Sequence, residues 1–297
     1  MLSEYYIETL SAEKGYSHHT LIAYRADISG FMKYCLSGYE DHSDLDNFFL
    51  SLVKKEKKSL IRSHMFHLYK SGLKKKTCSR KLSAVKSFFD FLVKSGSIDF
   101  NPADAVPSPK IKRAVPGFLT IDDVFRLLDS IKTGTLLEKR NCAVFETFYA
   151  TGLRVSEMAF LDAEDIDFEQ KLVKVTGKGN KQRIVPLGKR AADLIKNYRQ
   201  AMGSFYKPLF LNKNKTRLSD RSMRRILSTL VDECGLNVPV SPHTLRHSFA
   251  THMLDSGADL RGIQEILGHA TLSTTQIYTH LTTDRLMQVY DTAHPRS

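Results

Sequence analysis

KLVKVTGKGNKQRIVP, from Lys171 to Pro186, decides how this chain folds. Val173 and Val175 alternate with Lys174 and Thr176. Gly177 and Gly179 mark a tight turn, and Ile184 to Pro186 returns as a second apolar segment. That is the pattern of a β-hairpin. On both sides of it the apolar residues recur every three or four positions, the spacing of a helix face. Downstream, helices are expected near 189–202, 219–234, 243–256, 260–267, 272–279 and 283–291. Upstream they are expected near 121–131, 138–151 and 155–161, with Thr120-Ile-Asp-Asp123 as a helix start. The reading is a mainly α chain with one small antiparallel sheet.

Further upstream, NPADAVPSPKIKRAVPG (Asn101 to Gly117) contains Pro102, Pro107, Pro109 and Pro116. Four prolines interrupt any long helix or strand, so 101–116 reads as a stiff connector. It separates a domain at 1–100 from one at 117–297. The first is helical. Tyr5, Tyr6 and Leu10 open an amphipathic pattern that Gly15 ends. Ser17 or Thr20 caps a helix carrying Leu21, Tyr24, Ile28, Phe31 and Met32 on one stripe. An apolar run follows from Asp44 to Val53, and Lys54, Lys55, Lys57 and Lys58 read as a solvated loop. Thr77 or Ser79 opens a helix with Leu82, Val85, Phe88, Phe89 and Leu92 inward, stopped at Gly96. Lys75 and Lys76 stand at its entry, Arg80 points away from the apolar stripe, and Lys81 and Lys86 flank it. A basic helix entry suits docking on nucleic-acid phosphates.

The 297 residues are 42% hydrophobic and 26% charged, enough to bury two separate cores. No run of eighteen apolar residues occurs, so no membrane span is expected, and MLSEYYIETL lacks the basic start of a signal peptide. Cys35, Cys78, Cys142 and Cys234 are widely spaced. They suggest neither a zinc ribbon nor a disulfide framework, but reduced thiols in a cytoplasmic protein. The net charge of +12 favours a polyanionic partner. It is not confined to a tail: residues 1–116 hold 19 Lys and Arg against 12 Asp and Glu, and the remainder 25 against 20.

Six residues carry the candidate chemistry. Arg154, in ATGLRVSEM, stands three residues before Glu157 at a helix start, so a carboxylate can hold it while it faces a phosphate. Lys178, in TGKGNKQR, sits at the hairpin tip, where a flexible lysine can protonate a leaving oxygen. Lys181 and Arg183 beside it are further candidate DNA contacts. His243 and Arg246, in HTLRHSFATH, share one helix face, with Ser241 as cap and Pro242 in the first turn. His269 follows Gly268, which ends a helix. Tyr278 comes nine residues later; its phenol attacks only when a base and nearby cations favour phenolate. His243 and His247 are spaced as in a zinc helix, but Thr244 stands where HExxH needs glutamate, and no GxxxxGK[ST] loop exists. Neither metal nor nucleotide cofactor is expected.

In this order and context, ATGLRVSE, GKGNKQRIVPL, HTLRHSFATHML and LGHATLSTTQIYTH resemble the tyrosine recombinases, and their Xer branch in particular, over nearly the whole chain. The resemblance implies an N-terminal helical SAM-like core-binding domain and a mostly helical catalytic domain that clamp duplex DNA. It implies that Arg154 and Arg246 hold the scissile phosphate, that His243 assists as base, and that His269 supports the phosphate. Tyr278 then attacks to form a 3′-phosphotyrosyl link, and Lys178 protonates the departing 5′-oxygen. It further implies homo- or hetero-tetramers with a paralogous recombinase on two DNA sites, a C-terminal helix at 283–291 passed to a neighbour, and control by a septal DNA translocase. Rival readings are a phage or transposon integrase, a type IB topoisomerase-like enzyme and a non-catalytic DNA-binding protein.

Overall fold

The computed structural model describes residues 2–14, 16, 18–37, 44–111, 117–177, 180–268 and 280–296. The chain parts into two compact units, Met1–Ala114 and Val115–Ser297. The first unit holds five helices among its described residues: α1 (Leu2–Lys14), α2 (His18–Leu36), α3 (Leu45–Glu56), α4 (Lys58–Lys70) and α5 (Lys75–Lys94). Helix α5 is the hub. Its Leu82, Val85, Phe88, Phe89 and Leu92 are fully buried, as the 3.6-residue spacing predicts. Phe88 meets Tyr6 edge-on at 5.2 Å, and Phe89 meets Phe31 at 5.9 Å.

Two expectations for this unit need correction. The lysines at 54–58 do not form a loop. They close α3 and open α4, turning at Lys57 (φ +49°). Helix α4 buries Leu60, Ile61, Met65 and Leu68, and it escapes a sequence reading because no side chain caps its start. Nor is the connector extended from residue 101. Asn101 bonds the Lys86 carbonyl and Asp90, while Ala103 and Val106 are buried in the first unit's core.

The second unit comprises α6 (Ile121–Asp129), α7 (Leu136–Thr151), α8 (Val155–Phe160), β1 (Ile166–Asp167), β2 (Leu172–Thr176), β3 (Gln182–Pro186), α9 (Lys189–Met202), α10 (Asp220–Cys234), α11 (Pro242–Asp255), α12 (Leu260–Leu267) and α13 (His280–Ala293). Helix α7 is buried on all sides from Cys142 to Thr151, as expected for the central rod of a core. Its Thr147 and Thr151 hydroxyls donate to the carbonyls of Ala143 and Thr147, so neither is left unsatisfied. The predicted hairpin is present as β2–β3, with Val173 opposite Val185 and Val175 opposite Arg183. A two-residue strand, β1, too short for any periodic signal, extends it to an antiparallel β1-β2-β3 sheet. The expected helix at 272–279 lies outside the described residues. The four cysteines are free, and three of them are buried. Among the described residues no helix is long and apolar enough to cross a membrane.

Helix α13 packs on its own unit, against β3, α11 and α12, burying Leu286, Tyr290 and Ala293. The Tyr290 ring stacks on His294 at 4.6 Å and 10°. Gly188 (φ +72°) lies over Tyr290, where a Cβ would sit 2.7 Å from the phenol oxygen. His294 donates from Nε2 to the Tyr149 carbonyl (3.2 Å) and accepts at Nδ1 from the Arg296 amide (3.0 Å). A second proton would land on Nδ1, where a donor already points. Burial accordingly pulls the imidazole pKa down to about 4. A histidine depressed in this way contributes stability that is full above its unfolded pKa, near 6.5, and is lost as pH falls towards 4. Going from pH 7.5 to pH 5 therefore removes about 2 kcal/mol through this group. Denaturant unfolding of wild type and His294→Gln at both pH values checks it. The variant is expected to lose distinctly less on acidification; equal losses would assign the acid sensitivity elsewhere.

Candidate functional site

Helix α12 ends at Gly268 (φ +66°), and its last carbonyls need donors from outside the helix. Three arginines supply them, one each. Arg183 Nε donates to the Ile266 carbonyl (3.0 Å), Arg246 Nη2 to Leu267 (2.8 Å) and Arg154 Nη2 to Gly268 (3.3 Å). Cations are favoured at a helix C-terminus, where the backbone dipoles leave partial negative charge.

Each arginine arrives from a different element. Arg246 lies on the buried face of α11, whose start is fixed by Ser241 as cap and Pro242 in the first turn. Its Nη1 also donates to the Gly152 carbonyl (2.6 Å). Gly152 ends α7 at φ +58°. A Cβ there would fall 2.5 Å from the Phe249 ring, so this reversal requires glycine. Two residues on, Arg154 opens α8. Arg183 comes from β3. It shares the face of Val185, so the strand alternation turns it inward.

Between Arg154 and Arg183 lies Glu157. Arg183 forks onto it, Nη1 to Oε1 and Nη2 to Oε2, both 2.9 Å. Arg154 Nη1 reaches Oε1 at 2.9 Å, and the Arg154 amide reaches Oε2 at 2.8 Å. The Glu157 side chain is only 5% exposed. Burial alone would raise its carboxyl pKa; the bonds and charge of Arg183, followed by those of Arg154, outweigh that and hold it at about 2. Arg246 is pulled down to about 10, first by burial and then by the neighbouring Arg154 cation. Three guanidiniums against one carboxylate leave a surplus of two positive charges. Arg154, at 45% side-chain exposure, opens that surplus to solvent. A planar-forked, permanently charged pair of this kind matches a phosphate.

His243 is exposed one turn before Arg246 on α11. Lys178, His269 and Tyr278 lie outside the described residues. Their sequence neighbours do not: a Cβ on Gly177 would stand 3.6 Å from Glu157 Oε1, and one on Gly268 would stand 3.0 Å from Arg183 Nε. Lys181 is exposed beside the turn. Arg183, a candidate DNA contact in the sequence, turns inward. Its side chain is 8% exposed and its donors are committed to Glu157 and Ile266. The signal was available: residues 183 and 185 share strand parity, and Val185 faces the core. Among the described residues no three His, Cys, Asp or Glu side chains gather as a metal cage. His252 instead braces the core, between the Tyr149 hydroxyl (2.9 Å) and the Leu119 carbonyl (2.8 Å).

In the first unit, Lys75 and Lys76 are exposed in the first turn of α5, which has no acidic residue. Cations oppose the helix dipole there, a cost that a bound anion relieves. Lys86 is half-buried. Arg80 and Lys81 both bind the buried Asp27, Arg80 through both terminal nitrogens and Lys81 at 2.9 Å. They neutralise an internal carboxylate first.

Comparison with known proteins agrees with this architecture. Residues 117–285 match the Phage integrase family, and residues 4–96 match its N-terminal SAM-like domain. The chain is 42% identical to the tyrosine recombinase XerC of Thermodesulfovibrio yellowstonii, covering 98% of this chain and 95% of that protein. It is 37% identical to XerD of Listeria monocytogenes serotype 4b, covering 100% and 99%. Among solved structures, the Tn1549 transposon integrase in complex with a circular intermediate DNA superposes with a TM-score of 0.71 at 17% identity, covering 97% of this chain and 99% of that one. A lambda integrase tetramer bound to a Holliday junction gives 0.67 at 17%, covering 93% and 80%. The chain belongs to the phage integrase family, the tyrosine recombinases.

For duplex DNA, replacing Lys75, Lys76 and Lys86 together by alanine is expected to lower affinity. It should also flatten the slope of log affinity against log salt by about 2.7 units, near 0.9 per lost phosphate contact. An unchanged slope would return these lysines to ordinary solvated positions.

Proposed function

We propose that this chain is a site-specific recombinase that cuts and rejoins DNA strands through a covalent link to Tyr278. The observation that carries the reading is the surplus of two positive charges around Glu157, opened to solvent through Arg154. In this reading Arg154 and Arg246 hold the non-bridging oxygens of the scissile phosphate. Their charge is already in place when the transition state forms, and such preorganisation is a leading catalytic term. His243, solvent-facing one turn from Arg246, takes the phenol proton of Tyr278. Tyr278 attacks phosphorus, a 3′-phosphotyrosyl bond forms, and the bond to the 5′-oxygen breaks. Lys178 delivers the proton that the leaving oxygen needs, and His269 supports the phosphate. A 5′-hydroxyl from a partner strand reverses the step. The phosphodiester energy is held in the covalent link, so the cycle consumes no ATP.

The XerC and XerD likeness along almost the whole chain supports resolution of chromosome or plasmid dimers at cell division, in the cytoplasm, over integration of a mobile element. We further infer action as a homo- or hetero-tetramer with a paralogous recombinase on two DNA sites, with α13 exchanged between neighbours and a septal DNA translocase as regulator. Lys75, Lys76 and Lys86 serve as backbone contacts of the core-binding domain, with Lys181 beside the hairpin turn.

Covalent trapping tests the reading. On a nicked suicide duplex carrying a termination-region site, with the paralogue added, wild type is expected to form a protease-sensitive covalent band on a denaturing gel. Tyr278→Phe should bind the duplex with near wild-type affinity and form none. Arg154→Ala should cleave roughly a hundred-fold more slowly or worse. A covalent product from Tyr278→Phe would overturn the assigned nucleophile.

A further inference from the structure

Arg183 has no part in the cleavage chemistry just described, yet it touches three segments that lead into it: α8, the end of α12 and the base of the hairpin turn. Its guanidinium forks onto both oxygens of Glu157, the carboxylate that also holds Arg154. Its Nε–H bonds the Ile266 carbonyl, one residue before the carbonyl that holds Arg246 and three residues before His269. It lies five residues after Lys178, on the strand that returns from the hairpin turn, and the base of that turn rests on it: a Cβ at Gly177 would be 3.7 Å from Nη1. Gly268 comes so close that a Cβ there would meet the guanidinium at 3.0–3.1 Å. A buried arginine on the core face of a strand is costly unless fully paired. Here its Nε–H and both terminal nitrogens have acceptors: Glu157, on the helix that Arg154 opens, and the end of α12, whose next carbonyl accepts from Arg246.

We propose that Arg183 is a positioning residue for strand cleavage, fixing Glu157, the end of α12 and the base of the β2–β3 hairpin in one register. In that register Arg154 and Arg246 meet a single phosphate. The inference rests on the cleavage reading above. Arg183 itself touches no DNA; it acts through Glu157 and the α12 carbonyls. A lysine in its place would keep the charge but lose the fork, so it could not span two carboxylate oxygens and a carbonyl together. A misplacement of about an ångström at a reacting centre costs about a hundred-fold in rate.

The test uses full-length wild type, Arg183→Lys and Arg183→Met on the nicked suicide duplex, with folding checked by circular dichroism and affinity by anisotropy. Both variants are expected to bind with unchanged affinity and to cleave in single turnover about a hundred-fold more slowly, with lysine restoring little. Arg183→Met removes the chief partner that holds the Glu157 carboxyl low. Its cleavage rate should therefore gain a fall on the acidic side that wild type lacks over the same range, a change that loss of folding stability alone would not produce. Cleavage at the wild-type rate by either folded variant would overturn the proposal, as would a rate loss fully explained by weaker binding. If wild type itself forms no covalent product, the cleavage reading fails and the proposal falls with it. A cleaving wild type beside an equally active Arg183→Met would sink the positioning role alone.

Discussion

One buried carboxylate organises the second unit. Glu157 is almost fully removed from water, and it stays ionised because Arg183 and Arg154 grip it from two sides. Without them its burial would be prohibitive. With them it becomes a rigid post. The three arginines are also anchored at their far sides, on three successive carbonyls at the end of α12. Geometry at this point is therefore over-determined: α7, α8, β3, α11 and α12 all meet within a few hydrogen bonds. The surplus of two positive charges is met only by neutral carbonyls and the one carboxylate among the described residues, and a phosphate is the ligand whose charge and shape it fits.

The same constraint explains the glycines. Gly152 and Gly268 both adopt left-handed backbone, and both pass close to the cluster. Each lets a helix end where an arginine can reach its carbonyl. The first unit solves a smaller version of the same problem. Asp27 is buried and held by Arg80 and Lys81, which ties α2 to α5. Its lysines at the start of α5 remain at the surface, with the helix dipole against them.

Periodic features were legible in the sequence. The hairpin showed itself by alternation, helix α9 by spacing alone, and the Arg154–Glu157 pair by being three apart on one helix. Four features were not. Helix α4 lacks a cap and begins in a run of lysines that reads as solvated. Strand β1 has two residues. The start of the connector is held by Asn101 and by two small apolar side chains, a packing event with no local signature. Arg183 pairs with a residue 26 positions away, and only the fold brings them together. Its charge suggested a surface role, although the parity of the strand already pointed inward. Lys178, His269 and Tyr278, three of the six residues singled out from the sequence, lie outside the described residues, so for them the chain order and its family likeness carry the assignment.

The most direct test of the central claim is the single-turnover cleavage rate of Glu157→Gln at saturating DNA. Glutamine keeps the shape of the side chain but removes the charge that two guanidiniums share. If this carboxylate organises the phosphate-binding arginines, the variant will fold and bind DNA normally yet cleave about a hundred-fold more slowly. A folded Glu157→Gln that cleaves at the wild-type rate would contradict the account.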